Sequence, residues 1–170
     1  MRDEFEIFVK DHQDMVFSTA MRITGSFAES EDISQQVFLQ AYHQFDSLRV
    51  HINPGGWLRL AARNLSINHV KRYFKRWYFF DTVSEIPPEI ESAVQSDGDK
   101  TLLFENMEKV KKVLGELPPK FRVPLVLFYY ERLSYQEIAM ELSCSEAKVK
   151  TDLFRSKKIF QEKLEKMRDA

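Results

Sequence analysis

With one cysteine, five glycines and six prolines, the sequence has little material for a disulfide framework or a turn-rich sheet. The lone Cys144 has no internal disulfide partner, so a reducing cytoplasm is the expected setting. No apolar run approaches the ~20 residues of a membrane span. The opening stretch MRDEFEIFVKDHQDMVF alternates charged and apolar residues and lacks the unbroken apolar segment of a secretory signal. There is no P-loop, nucleophile elbow or glycine-rich dinucleotide turn. His12, His43, His51 and His69 lack metal-ligand spacing with Cys144 or the acids. An enzyme is therefore disfavoured, and neither a metal nor another cofactor is expected. An excess of one charge is missing too: 25 Lys and Arg face 26 Asp and Glu, for a net charge of −1.

What the chain does have is a hydrophobic fraction of 44%, a charged fraction of 30% and 14 phenylalanines, a composition suited to helices with aromatic cores. The charges are not evenly spread. Residues 57–76 hold six basic residues and no acid. Residues 81–105 hold seven acids against Lys100. Residues 145–168 hold eight basic residues against four acids. Two basic patches in a neutral chain suggest two polyanion contacts; simple solvated faces are the blander reading.

Periodicity predicts an all-α protein. Apolar residues recur at helical spacing over 4–24, and Gly25 stops the run. A second helix is expected over 28–45. At ~100° per residue, Ile33, Val37, Phe38, Ala41 and Phe45 share one face, and Asp32, Gln35, Gln36, Leu39 and His43 the opposite one. DSLRVHINPGG reads as a loop, punctuated by Pro54 and two glycines. A third helix is expected over 57–73, with Leu58, Ala61, Ala62 and Leu65 as its core stripe. From about residue 80 the period fails and acids, Pro87, Pro88 and Gly98 accumulate, as in an acidic linker. Helical pattern returns over 102–117. Pro118 and Pro119 end it, and Pro124 is expected in the first turn of a helix starting near Lys120. The expected organisation is two small helical domains, 1–80 and 101–170, joined by a flexible acidic linker over 81–100.

The C-terminal stretch LSYQEIAMELSCSEAKVKTDLFRSKKIF carries the most specific local signals. Ser134 and Glu137 form an S-x-x-E capping box, which starts a helix at Tyr135. Ile138 and Leu142 point it inward, and small Ala139 lets a second helix cross closely. Ser143, Cys144 and Ser145 make the turn, and Ser145 can cap the next helix. Val149, Leu153 and Phe160 form that helix's inward stripe. Ala147, Lys148, Thr151, Phe154, Arg155 and Lys158 are expected to point outward, with Lys150 on the flank. This is a helix-turn-helix, whose second helix enters the DNA major groove. A plain helical hairpin with a solvated basic side is the blander reading.

LSYQEIAMELSCSEAKVKTDLFRSKK resembles the C-terminal DNA-binding domain of bacterial extracytoplasmic-function sigma factors, and LPPKFRVPLVLFYYERLSYQEIA resembles the lead-in to it. The N-terminal half agrees independently. ESEDISQQVFLQAY resembles the family's acidic D-x-x-Q-x-x-F helix, and GGWLRLAARNLSINHVKR its W-L-x-x-I-A-x-N helix. The resemblance spans nearly the whole chain. It implies a non-catalytic factor that binds core RNA polymerase and reads promoter DNA, with no small-molecule substrate and often an anti-sigma factor, commonly membrane-anchored. Asp32, Gln35, Gln36 and Leu39 match the surface that binds the polymerase clamp helices. Asn64 matches an asparagine beside the flipped base of the minus-ten element, and Arg63, Lys71 and Arg72 would hold the single strand's phosphates. Residues 47–56 would form part of the base pocket. Lys150, Thr151, Phe154 and Arg155 match DNA-facing positions for the minus-thirty-five element; Lys148 and Lys158 extend that basic surface. The C-terminal domain would also bind the polymerase flap.

The chain departs from the family pattern in places. Ala147-Lys148 stands for a small Gly-Thr pair, Asp152 for a basic residue, Ser143 for glycine in the turn and Asn68 for aspartate. Asp152, spaced to neighbour Lys148 and Arg155, is expected to shape discrimination, by orienting Arg155 or by accepting from a cytosine amino group; simple repulsion of phosphate, which would weaken all sites alike, is the alternative. A stand-alone helix-turn-helix regulator with an N-terminal sensor or dimerisation domain stays open as the alternative at this stage.

Overall fold

The computed structural model describes residues 2–78, 88 and 107–169. Every regular element among them is helical. The linker expected over 81–100 lies outside the described residues apart from Pro88. The chain divides into two compact units, Met1–Val70 and Lys71–Ala170, and each is described by itself.

In the first unit, α1 (Arg2–Thr24) ends where Gly25 takes a left-handed φ of 66° and donates its N–H to the Met21 carbonyl at 2.9 Å. Ser26 then caps α2 (Phe27–His43), its hydroxyl accepting from the Glu29 N–H. Thr24 and Ser30 hydroxyls, 2.9 Å apart, seal the corner. The two helices pack through Val16 and Ala20 on α1 and Ile33, Val37 and Ala41 on α2, all buried. Leu48, Leu58 and Ala62 complete this core, with Phe38, Trp57, Ala61 and Leu65 packed against it. The alanines leave no bulk between the helix axes, so the backbones approach closely.

Two boundaries differ from the periodicity reading. The second helix does not run unbroken to residue 45: Gln44 leaves helical geometry (φ −124°, ψ 26°) and a short α3 (Phe45–Leu48) follows. The break lets Phe45 turn inward, edge-on to Phe5 and Phe8 at 5.0 and 5.3 Å, and buries Leu48. The Pro-Gly-Gly stretch is not loop but the first turn of α4 (Pro54–Tyr78). Pro54 needs no N–H at the first helical position. Asn53 caps the helix, its Oδ1 accepting from the Gly56 N–H at 2.8 Å. A Cβ on Gly56 would meet the Asn53 side chain at 2.5 Å, so glycine there makes room for the cap. His69 on α4 reaches Glu29 at the start of α2, Nε2 to Oε1 2.8 Å.

The second unit contains α5 (Met107–Glu116) and α6 (Pro119–Leu125), followed by a π-helical segment (Val126–Tyr130), α7 (Tyr135–Leu142) and α8 (Glu146–Arg168). Pro124 falls inside α6 rather than in its first turn, which begins at Pro119. Proline lacks an N–H, so one carbonyl a turn earlier loses its helical donor. The chain runs on into the π-helical segment, which closes with Glu131 N–H donating to the Val126 carbonyl at 3.1 Å. This stretch is the unit's centre: Val123, Leu125, Val126 and Leu127 are buried with Ile138, Val149 and Phe160.

Candidate nucleic-acid and polymerase interface

On α2 the alternation of faces is clean. Asp32, Gln35 and Gln36 are exposed, and so is Leu39 at 59%, while Ile33, Val37 and Ala41 opposite are buried. Sequence reading missed that this face adjoins a groove. Its volume is about 680 Å³, and Phe17, Phe27, Phe38, Gln35 and Leu39 are among its lining. Phe27 is 61% exposed and meets Phe17 edge-on at 5.2 Å. The available signal was two phenylalanines outside the inward stripes of their helices.

Arg63, Asn64, Lys71 and Arg72 all stand on α4. Asn64 is exposed in mid-helix, so it neither caps the helix nor fills a buried polar site. Arg72 is exposed, and Arg63 and Lys71 are half-buried. At ~100° per residue, Asn64, Asn68, Lys71 and Arg72 fall along one stripe, and Arg63 leans to its flank. Leu60, 46% exposed, continues the stripe toward the helix start, an apolar neighbour that sequence reading passed over. In the segment before α4, Val50 and Ile52 are fully or largely exposed, and His51 Nδ1 accepts from the Asn53 N–H at 3.0 Å.

The helix-turn-helix is built as its sequence dictates. Ser134 Oγ accepts from the Glu137 N–H at 3.2 Å, and Glu137 Oε2 accepts from the Ser134 N–H at 2.7 Å, the full capping box. Ser145 Oγ accepts from the Lys148 N–H at 3.1 Å. Between them Ser143 takes a left-handed φ of 55°, and the Cys144 N–H returns to the Ala139 carbonyl at 3.0 Å. On α8, Arg155 and Lys158 are exposed, and Lys150 and Phe154 half-buried.

Three side chains expected on the outer surface of α8 are not there. Lys148, Thr151 and Asp152 are buried, at 6%, 0% and 3% exposure. Lys148 Nζ lies 3.1 Å from Asp152 Oδ2, one helical turn on, so the two charges neutralise each other out of solvent. The Thr151 hydroxyl donates back to the Ala147 carbonyl at 2.8 Å and needs no solvent partner. Asp152 is thus an ionic partner of Lys148 rather than an exposed guide for Arg155. The pair also acts on Cys144, whose shift comes first from burial. Burial pushes the thiol up to about 11, Asp152 adds to the rise, and Lys148 opposes it. A thiol raised in this way holds little thiolate at neutral pH and is a weak nucleophile.

Among the described residues no three His, Cys, Asp or Glu side chains gather as a metal site, and no helix is long and apolar enough to cross a membrane. The family model for sigma-70 region 2 matches residues 8–77, and the model for sigma-70 region 4 matches residues 107–159. Together they cover well over half of the chain. The extracytoplasmic-function sigma factor SigW of Bacillus subtilis is 27% identical over 168 residues, spanning 96% of this chain and 90% of its own. SigM of the same organism is 29% identical over 156 residues, 90% of this chain and 88% of its own. Among solved structures, the sigma factor RpoE of Bartonella quintana, in complex with the anti-sigma factor NepR, shares the fold with a TM-score of 0.51 at 17% identity, over 95% of this chain and 97% of that one. With its region 2 and region 4 helices in order, the chain belongs to the sigma-70 family, in the extracytoplasmic-function group of RNA polymerase sigma factors.

Proposed function

We propose that this sigma factor, which binds core RNA polymerase and directs promoter-specific initiation, divides the work between residues 1–80 and 101–170, with 81–100 as a flexible acidic connection. Asp32, Gln35, Gln36 and Leu39 dock on the clamp helices of the polymerase. Asn64 takes the flipped base of the melted minus-ten element, and Arg63, Lys71 and Arg72 hold the strand's phosphates. Lys150, Phe154, Arg155 and Lys158 meet the duplex minus-thirty-five element, the cations at phosphate or guanine edges and Phe154 at a thymine methyl or sugar. Lys148 and Thr151 serve that surface from within, by holding the start of the recognition helix. The C-terminal domain also engages the polymerase flap. The protein works in the cytoplasm, catalyses no reaction and needs no cofactor. An anti-sigma factor, commonly membrane-anchored in this group, holds it inactive; the structural relative was solved in complex with an anti-sigma factor.

The observation that carries this reading is Leu39, an apolar side chain 59% exposed in the middle of an otherwise polar face. A merely solvated face has no use for it, whereas a docking face does. The test is a pull-down of core polymerase by Asp32→Arg combined with Gln35→Ala. Both side chains are exposed, so the circular dichroism spectrum should not change. Core binding is expected to fall at least tenfold. Wild-type capture of core enzyme by the double variant would overturn the clamp assignment.

A further inference from the structure

Lys150 lies half-buried on the flank of the recognition helix, and its ammonium sits over the ring of Tyr135, 5.5 Å from the centroid. Tyr135 is the first residue of α7, directly after the capping serine. Its ring lies parallel to that of Phe128, with centroids 5.2 Å apart and planes at 3°. Phe128 comes from the π-helical segment, is 6% exposed, and is met edge-on by Tyr129 at 5.0 Å. A buried aromatic pair therefore fixes the Tyr135 ring from behind, and the capping box fixes its backbone. The ring's electron-rich face attracts the ammonium and restricts a side chain that otherwise swings on four rotatable bonds. An ammonium has three N–H donors, so those directed away from the ring stay available to another acceptor.

We propose that Tyr135 is a positioning residue for promoter recognition: its ring holds the Lys150 ammonium in one direction, so that Lys150 discriminates among duplex sequences instead of only attracting phosphate. The proposal rests on the reading that Lys150 faces the minus-thirty-five element. Loss of the ring leaves the lysine's charge in place. It therefore separates two quantities that a general defect would move together, sequence discrimination and salt dependence.

The experiment measures initiation by the full-length protein with core polymerase on a library of minus-thirty-five sequences at several salt concentrations. The variants are Lys150→Ala, Tyr135→Leu, Tyr135→Phe and the Lys150→Ala/Tyr135→Leu double variant. Tyr135→Leu is expected to narrow the spread between the best and worst sequences by about 2–5-fold, the range of an exposed cation–ring contact, with its salt slope unchanged. Tyr135→Phe, which keeps the ring, is expected to behave as wild type. In the Lys150→Ala background, Tyr135→Leu should add nothing. A uniform loss at every sequence, or a full Tyr135→Leu effect without Lys150, would overturn the positioning role and leave Tyr135 as a packing residue. If Lys150→Ala changes neither ranking nor salt slope, the DNA-facing reading of Lys150 fails first, and the proposal fails with it.

Discussion

Asn64 is exposed in the middle of α4, in the stripe that also holds Asn68, Lys71 and Arg72. Its amide offers donors and an acceptor to a base edge that exists only once the duplex has opened. Asn64→Ala should therefore slow open-complex formation several-fold while leaving recruitment to closed promoter DNA intact. Permanganate reactivity of melted thymines measures the first, and footprinting in the cold the second. Cys144 gives a second check at this scale. Burial, with Asp152 acting in the same direction and Lys148 against it, holds its pKa near 11 rather than 9.0. The unfolded chain releases this proton first as pH rises, so the thiol's contribution to stability is intact below about pH 9 and is lost toward pH 11. Urea unfolding of wild type and Cys144→Ala should thus converge across that window, and the native thiol should react slowly with iodoacetamide at pH 8. The spacing of Lys148 and Asp152 made them neighbours in the sequence, but neither the burial of that pair nor the burial of Thr151 was legible beforehand. A wheel projection places charged and hydroxyl-bearing side chains outward by default, and burial depends on what packs over them.

At the scale of elements, the local signals with a hydrogen-bond mechanism were legible. The Ser134–Glu137 box and the Ser145 cap act within four residues, so the sequence contains all of their partners. Gly25 is of the same kind. Pro54-Gly55-Gly56 was misread because glycine and proline punctuate loops and also open helices; the Asn53 cap decides between the two. Pro124 was expected in the first turn of its helix but lies farther inside it. Its missing N–H is tolerated inside a helix whose buried neighbours pack well enough to offset it. Ser143 offers a direct measurement. An L-residue held at φ 55° bears a strain that glycine does not. Ser143→Gly is expected to stabilise the protein by about 0.5–1 kcal/mol, after glycine's greater unfolded-state entropy is subtracted. The urea midpoint should rise with an unchanged slope. A fall in the midpoint would mean that the serine side chain contributes more to the turn than the strain costs.

For the whole molecule, the relevant quantity is a net charge of −1 with basic residues gathered in two stretches. Phosphate attraction is strong and independent of sequence, so a strongly basic subunit would bind DNA everywhere. A neutral one relies on core polymerase for most of its affinity. Purified protein is accordingly expected not to shift duplex promoter DNA at 150 mM salt up to micromolar concentration, and to shift it once core polymerase is added. A shift by the protein alone, with base-sequence preference, would instead describe a self-sufficient regulator.

Composition, helical period and short-range caps were enough to determine an all-α chain, its helix-turn-helix and the order of its two halves. Each depends on residues within one or two helical turns of one another, and hydrophobic spacing records which side of a helix must leave water. The sequence did not show the groove beside Leu39, the burial of the ion pair behind the recognition helix, or the stack from Phe128 through Tyr135 to Lys150. The groove and the stack join side chains from separate elements, and the ion pair, though within α8, is taken out of water only by what packs over it; all three depend on distances that exist only after the helices have packed. The order of residues along a chain states which face is apolar, but only tertiary packing decides which neighbour that face meets and which charge is taken out of water with it.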